Sequence, residues 1–412
     1  MSAAPASTLV DLICSACGLT DTADEPRNVC RDCGKVLFAR YDLDRARDSM
    51  RPENLRAREP TLWRYMELLP LRNGAARVSL GEGFTPLLSL PRLARTLGMA
   101  SLLLKDESLN PTASFKARGM AVAVSRAREL GLRRLAAPSA GNAGAALAVY
   151  AARAGLRAWT VMPRDTPRVP LIEARLAGAH VHLIDGLIHD AGRVVRRHGD
   201  WFDMSTLREP YRVEGKKTMG FEIVEQMGGR LPDAIVYPAG GGTGLIGMAK
   251  SFDEMQSMGW IGIERPRMYV VQSAGCAPIV RAYESGAETA VFWRDASTIA
   301  SGLRVPAALG DYLMLRTLRS TGGGALAVSD DAIRRATDLA AGREGIWLSP
   351  EGAATVAAAG LLRDCDALRR DETVVLFNTG AGMLYPDLQP LPSAEVHPDA
   401  LVIPGLDIDT DA

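Results

Sequence analysis

The sequence predicts an α/β protein built on parallel sheets, with a small cysteine-bearing module at its N-terminus. Three observations predict it. From Leu80 onward, short apolar runs alternate with helix-length segments, the pattern of strand–helix–strand units. Glycine is abundant, at 40 of 412 residues, and aromatics are scarce at 6%, as expected where strands turn tightly into helices. Two C-x-x-C-G knuckles lie close together near the start of the chain.

Composition bounds the function. A chain of 412 residues suggests about two or three domains. Hydrophobic residues at 47% and charged ones at 23% are ordinary for a globular protein. Lys plus Arg and Asp plus Glu both number 48, so the formal charge is zero, which argues against nucleic acid as a partner. No apolar run reaches the ~20 residues that span a bilayer. The first residues, MSAAPASTLVDLIC, lack a basic segment followed by an apolar one. The expectation is a cytoplasmic protein with no membrane partner.

Taken in order, the first element is the cysteine module. Cys14, Cys17, Cys30 and Cys33 form C-S-A-C-G and C-R-D-C-G, with Gly18 and Gly34 where a positive φ turns the sulfurs toward one point. Paired knuckles at this spacing suit a tetrahedral site of four thiolates, so a structural zinc is expected. A disulfide pair is the poorer reading for a reducing compartment. Cys276 and Cys365 stand alone and read as small buried hydrophobes. Residues 36 to 78 read as a packing arm with helix-prone stretches. Strands are expected at LLLKDE (102–107), LAAPS (135–139), RAWTVMP (157–163), HVHLID (180–185), DAIVYPAG (233–240), MYVVQS (268–273) and TVVLFNTGAG (373–382). A helix is expected from about Lys116 to Leu130, N-capped by Ser114 or Thr112. Parallel strands place any ligand at their carboxyl ends. The tail from Leu388 is expected to wrap the surface or fray.

Three segments carry chemistry. In K-D-E-S-L-N-P-T-A-S-F-K-A-R-G-M (105–120), Lys116 opens a helix, where backbone N–H groups lower an amine's pKa and favour covalent chemistry with a carbonyl. In P-S-A-G-N-A-G (138–144), a strand enters a helix whose free N–H groups suit a carboxylate or a phosphate. In P-A-G-G-G-T-G-L-I-G (238–247), glycines and Thr243 can wrap a phosphate. The last segment has no Lys placed for a nucleoside triphosphate and no acidic residue placed for a dinucleotide ribose. His180, His182, His189 and His198 lack ligand spacing.

As a set, these segments resemble the fold type II pyridoxal-phosphate enzymes, and within them the threonine synthase and dehydratase branch. The resemblance runs from G-E-G-F-T-P-L (81–87) through the segments above and E-G-K-K-T-M-G-F-E (214–222) to L-F-N-T-G-A-G (376–382). It implies two parallel-sheet, three-layer domains: a large cofactor-binding one from 41–118 and 215–390, and a smaller one from 119–214. The zinc ribbon (1–40) precedes them, and a tail (391–412) follows. The resemblance further implies that Lys116 bonds the cofactor, pyridoxal 5′-phosphate, with Phe115 flanking its ring. Asn142 would meet the phenolic oxygen and Thr379 the ring nitrogen. Gly240, Gly241, Gly242, Thr243 and Gly244 would hold its phosphate. Ser139, Ala140 and Gly141 would hold the substrate carboxylate. A phosphorylated substrate would need cations, for which Lys216, Lys217 and Arg304 are the candidates. The implied activity converts O-phospho-L-homoserine and water to L-threonine and phosphate, in a homo-oligomer such as a dimer.

Two departures keep alternatives open. Threonine synthases commonly read S-F-K-D-R, whereas Ala117 follows the lysine here, and G-G-G-T-G is nearer to the dehydratases. Dehydration or β-replacement on threonine, serine or phosphoserine is therefore a second expectation. A catalytically silent relative that serves as a binding module is a third.

Overall fold

Near-continuous apolar runs bounded by turn residues form strands that are covered on both faces, and these strands organise the chain. The computed structural model describes residues 6–389; the expected tail, 391–412, lies outside the described residues. At the N-terminus, β1 (Leu9–Cys14), β2 (Thr20–Asp21) and β3 (Leu37–Tyr41) make an antiparallel sheet in the order β2-β1-β3. Next come β4 (Leu87–Ser89) and β5 (Ser101–Asp106), followed by β6 (Arg134–Pro138), β7 (Arg157–Pro163), β8 (His180–Ile184) and β9 (Phe202–Asp203). The last strands are β10 (Ala234–Pro238), β11 (Arg267–Ser273), β12 (Gly324–Val328) and β13 (Thr373–Asn378).

Two sheets result. The larger has the order β12-β11-β10-β13-β5-β4 and is parallel except at β4, which runs antiparallel to β5. The smaller, β8-β7-β6-β9, is parallel throughout. Alternate residues of the central strands feed separate cores. Ile235, Tyr237, Val375 and Phe377 enter one, and Val236, Val271, Val374 and Leu376 enter the other. The expected domain junctions, 118/119 and 214/215, fall inside the helices Lys116–Glu129 and Arg212–Gln226. Those helices pack on each other so closely that a Cβ on Gly215 would lie 2.1 Å from the Arg118 carbonyl oxygen.

At this crossing sits a buried polar cluster. Arg118 bonds Glu107 through Nε (2.5 Å) and Nη2 (2.8 Å), and also bonds both carboxylate oxygens of Glu222. The Lys105 ammonium donates to Glu222 at 2.7 Å and to the Thr85 carbonyl at 2.6 Å. The Phe84 N–H donates to Glu222 at 2.8 Å, and the Thr85 hydroxyl donates to Glu107 at 2.6 Å. Ala117 is fully buried beside this cluster.

Paired buried charges leave large costs when one partner is removed. Burial alone would push the Glu222 carboxyl up, but Arg118 and Lys105 outweigh it and hold it down at about 2. Its contribution is therefore fully present above its ordinary value of 4.5 and lost as the pH falls toward about 2. Glu222→Gln should cost about 3–5 kcal/mol, read as a lower denaturation midpoint at pH 7. The gap between variant and parent should narrow in acid.

Candidate functional site

The carboxyl ends of β5, β6, β10 and β13 converge on a cleft between the two sheets, the place where parallel sheets bind ligands. The cleft holds a cavity of about 470 Å³, lined from the large-sheet side by Phe115, Lys116, Gly240 to Thr243 and Thr379, among others. Ser139 to Asn142 line it from the small-sheet side.

Lys116 is the first residue of its helix, and the segment before it is zipped to the end of β13. The Phe115 N–H donates to the Thr379 carbonyl (3.0 Å), and the Ala381 N–H donates to Ala113 (2.9 Å). Burial pushes the Lys116 amine down, the Arg212 guanidinium pushes it further and Glu351 opposes, leaving it at about 7. The helix end is not capped as expected. Phe115 occupies the N-cap with no side-chain bond, Thr112 has φ +61°, and the Thr112 and Ser114 hydroxyls are buried without partners. Contacts across the chain, rather than a local cap, hold this turn.

The Ser139–Asn142 loop is organised by its own side chain. The Ser139 hydroxyl accepts from the N–H groups of Gly141 (3.0 Å) and Gly144 (2.8 Å), and Gly141 has φ +130°. The Asn142 amide donates to the Tyr385 hydroxyl at 3.2 Å. Across the cleft, the glycine loop is tight. A Cβ on Gly240 would lie 2.3 Å from the Gly302 carbonyl oxygen, and one on Gly241 2.9 Å from Thr206. At Gly242, φ is +72° and a Cβ would lie 2.2 Å from the Met314 sulfur. Gly244 leaves room for the Tyr237 hydroxyl, which is buried without a partner.

Four expected residues do not line the cavity: Gly244, Lys216, Lys217 and Arg304. Lys217 is buried with its ammonium 2.8 Å from Glu214 and 2.8 Å from Glu254, above the Tyr41 ring. Arg304 makes a two-pronged pair with Asp165, at 2.6 and 2.7 Å, across the outside of the cleft. Arg196, Arg208 and His189 line the cavity. Just behind Phe115, the Lys216 amine is buried with no hydrogen-bond partner, 5.2 Å from the ring centroid. Arg212 is buried nearby with its Nε unpaired. Burial first, then Arg212 and Lys116, push the Lys216 amine well below its ordinary range. Arg212, Glu351 and Tyr385 carried no signal within their own segments. They join the site through tertiary contacts.

Residues 78–380 match the family described as pyridoxal-phosphate dependent enzyme. The chain belongs to that family. It is 36% identical to a threonine synthase of Methanocaldococcus jannaschii, over 91% of this chain and 93% of the relative. It is 37% identical to a threonine synthase of Methanosarcina acetivorans, over 90% of this chain and 91% of the relative. Among solved structures, maize serine racemase superposes with a TM-score of 0.62 at 22% identity, covering 74% of this chain and 91% of that one, a likeness of fold.

The residues present fit the family's cofactor. Lys116 offers a weakly basic amine, the loop at 240–244 is a cradle that any side chain would fill, and Phe115 supplies an apolar wall. Gly242→Ala puts a methyl on the Met314 sulfur at a φ that L-residues avoid. It should weaken pyridoxal phosphate binding by tenfold or more, about 1.4 kcal/mol. A spectral titration measures this, and unchanged affinity would mean that the loop is not the cradle.

The N-terminal module packs against the helix Asp311–Ser320 and the strand β9. The four thiols of Cys14, Cys17, Cys30 and Cys33 lie within 4.8 Å of one another. The Tyr312 hydroxyl meets the Ser15 hydroxyl at 2.7 Å, and the Asn28 amide donates to the Asp203 carbonyl at 2.8 Å.

Proposed function

We propose that this chain acts as a threonine synthase, releasing L-threonine and phosphate from O-phospho-L-homoserine and water. The observation that carries this reading is the similarity to threonine synthases at 36–37% identity over nearly the whole chain. The cavity adds support, because its cations exceed its carboxylates, as an anionic substrate requires.

When bound, pyridoxal phosphate supplies an electron sink that lets protons leave carbon near neutral pH. Lys116 is the residue that bonds it and then moves protons at the substrate Cα and Cβ. An amine whose pKa lies at about 7 both takes and returns protons at neutral pH. The Ser139–Gly141 loop, its turn fixed by the Ser139 hydroxyl accepting from the Gly141 and Gly144 N–H groups, would hold the substrate carboxylate. Asn142, from the small-sheet side, and Thr379, from the large-sheet side, would hold the cofactor ring, and Gly240 to Gly244 would hold its phosphate. Arg196 and Arg208 bind the phosphate that departs from the substrate, with Arg212 adding positive charge behind the wall. Lys217 and Arg304 hold structure rather than substrate.

Incubation with O-phosphohomoserine, phosphoserine, threonine and serine, followed by product identification, tests the reaction. Threonine and phosphate should form from O-phosphohomoserine alone among these at a high rate. A keto acid formed faster from threonine or serine would replace this reading with a dehydratase. No turnover of any of the four would leave a silent relative.

The thiol cluster is a structural zinc site in this reading. Sulfurs about 2.3 Å from a tetrahedral centre lie about 3.8 Å apart, and the Cys17–Cys30 and Cys17–Cys33 sulfurs are 3.7 and 3.6 Å apart. Four thiolates leave no open position for chemistry. Metal analysis of the Cys14→Ser, Cys17→Ser double variant should find zinc lost, with cofactor still bound. Equal zinc in variant and parent would contradict the assignment.

A further inference from the structure

Glu351 is a buried carboxyl on the cavity wall that the functions above do not use. It stands in the first turn of the helix Pro350–Asp364, whose N-terminus is capped separately by Ser349 on the Gly352 N–H at 3.1 Å. One carboxylate oxygen, Oε1, accepts from the Gly302 N–H at 2.8 Å and from the Tyr385 hydroxyl at 3.1 Å. A Cβ on Gly302 would lie 2.7 Å from that oxygen, so the close approach depends on glycine there. The Tyr385 hydroxyl accepts in turn from Asn142 at 3.2 Å, so a hydrogen-bonded chain crosses the cleft from the small sheet to Glu351.

The charges around Lys116 give this carboxyl its meaning. Lys116 and Glu351 line the same cavity, and of the charged groups around the Lys116 amine Arg212, from the helix Arg212–Gln226, opposes its charged form while Glu351, from the helix Pro350–Asp364, favours it. Glu209, also buried, bears on Arg212 and Lys216 and spends both oxygens on the N–H groups of Tyr211 and Arg212. A proton on Lys116 would therefore add a cation to a cationic group in a water-poor site. Glu351 is the anion that offsets it. Burial pushes the Glu351 carboxyl up, and its two donors and the Lys116 charge favour the ionised form.

We propose that Glu351 is the counter-charge of Lys116, fixed by Gly302 and Tyr385 so that the lysine can keep a proton that it takes from substrate. It is a positioning residue, acting through Lys116. The inference rests on Lys116 being the lysine that bonds the cofactor. Removing the negative charge makes the ammonium form less favourable, so the amine becomes free at lower pH.

The test uses the full-length chain stripped of cofactor and mixed with pyridoxal phosphate. The rate at which the visible band grows reports the free amine, read between pH 6 and 8.5. In the parent the rate should rise with a midpoint near pH 7, the Lys116 value. In Glu351→Gln the midpoint should fall. For one pH unit the rate at pH 6.5 rises about threefold, with the rates at pH 8.5 unchanged. Tyr385→Phe, which removes one donor and no charge, should move the midpoint the same way by less, and Glu351→Asp should restore it. A midpoint that stays put in both Glu351→Gln and Tyr385→Phe would overturn the proposal and leave Glu351 as structural. Lys116→Ala is the separate control. If it still forms the band at the parent's rate, the assignment of Lys116 fails.

Discussion

The site depends on one buried guanidinium. Arg118, two residues past Lys116, is clamped between Glu107 at the end of β5 and Glu222 on the neighbouring helix. A guanidinium satisfied from both sides fixes the rotation of its helix, and so fixes where Lys116 points. The same cluster ties Lys105 and Phe84 to Glu222, and Thr85 to Lys105 and Glu107, gathering the start of the large sheet against the helix crossing. Gly119 and Gly215 permit the approach, since a side chain at either would meet the opposing helix. The motifs that carry the family resemblance, at 81–87, 105–120 and 214–222, are largely the members of this cluster. Their spacing reflects a structural need that is separate from substrate contact.

With the crossing fixed, two parallel sheets open their carboxyl ends onto one cleft, and the charge balance there follows. Helix N-termini begin at Lys116, Asn142 and Thr243, and Arg196, Arg208 and Arg212 add cations. This environment suits a phosphorylated cofactor and an anionic amino acid, and it weakens the basicity of Lys116. Glu351 is the compensating anion. Charge thus serves binding and proton transfer through different residues of one cavity.

Much of this was legible in the sequence, for stated reasons. The strand–helix alternation placed seven strands within a residue or two, except where runs continued past the strand into the ligand loop, as at 239–240 and 379–382. In the two larger sheets the strands that carried no signal, β4, β9 and β12, are short or glycine- and alanine-rich pieces at sheet edges. The glycine loop and Lys116 stood out because backbone approach and a helix start leave marks within a few residues. Lys217 and Arg304 turn into ion pairs with Glu214, Glu254 and Asp165, because a basic residue beside a motif does not reveal which way its side chain turns. Adjacent residues on a helix point about 100° apart, and here Lys216 faces Phe115 while Lys217 faces Glu214 and Glu254. Glu351 and Tyr385 lie far along the chain, and only the folded sheet brings them to the cleft.

The central claim is that Lys116, held by the Arg118 clamp, is the amine that bonds the cofactor. Borohydride reduction of the holoenzyme followed by peptide mass mapping tests it directly, because reduction makes the link permanent. The account predicts one modified peptide, carrying the pyridoxyl phosphate mass on Lys116. A label on Lys216 or Lys105, or no label despite bound cofactor, would contradict it.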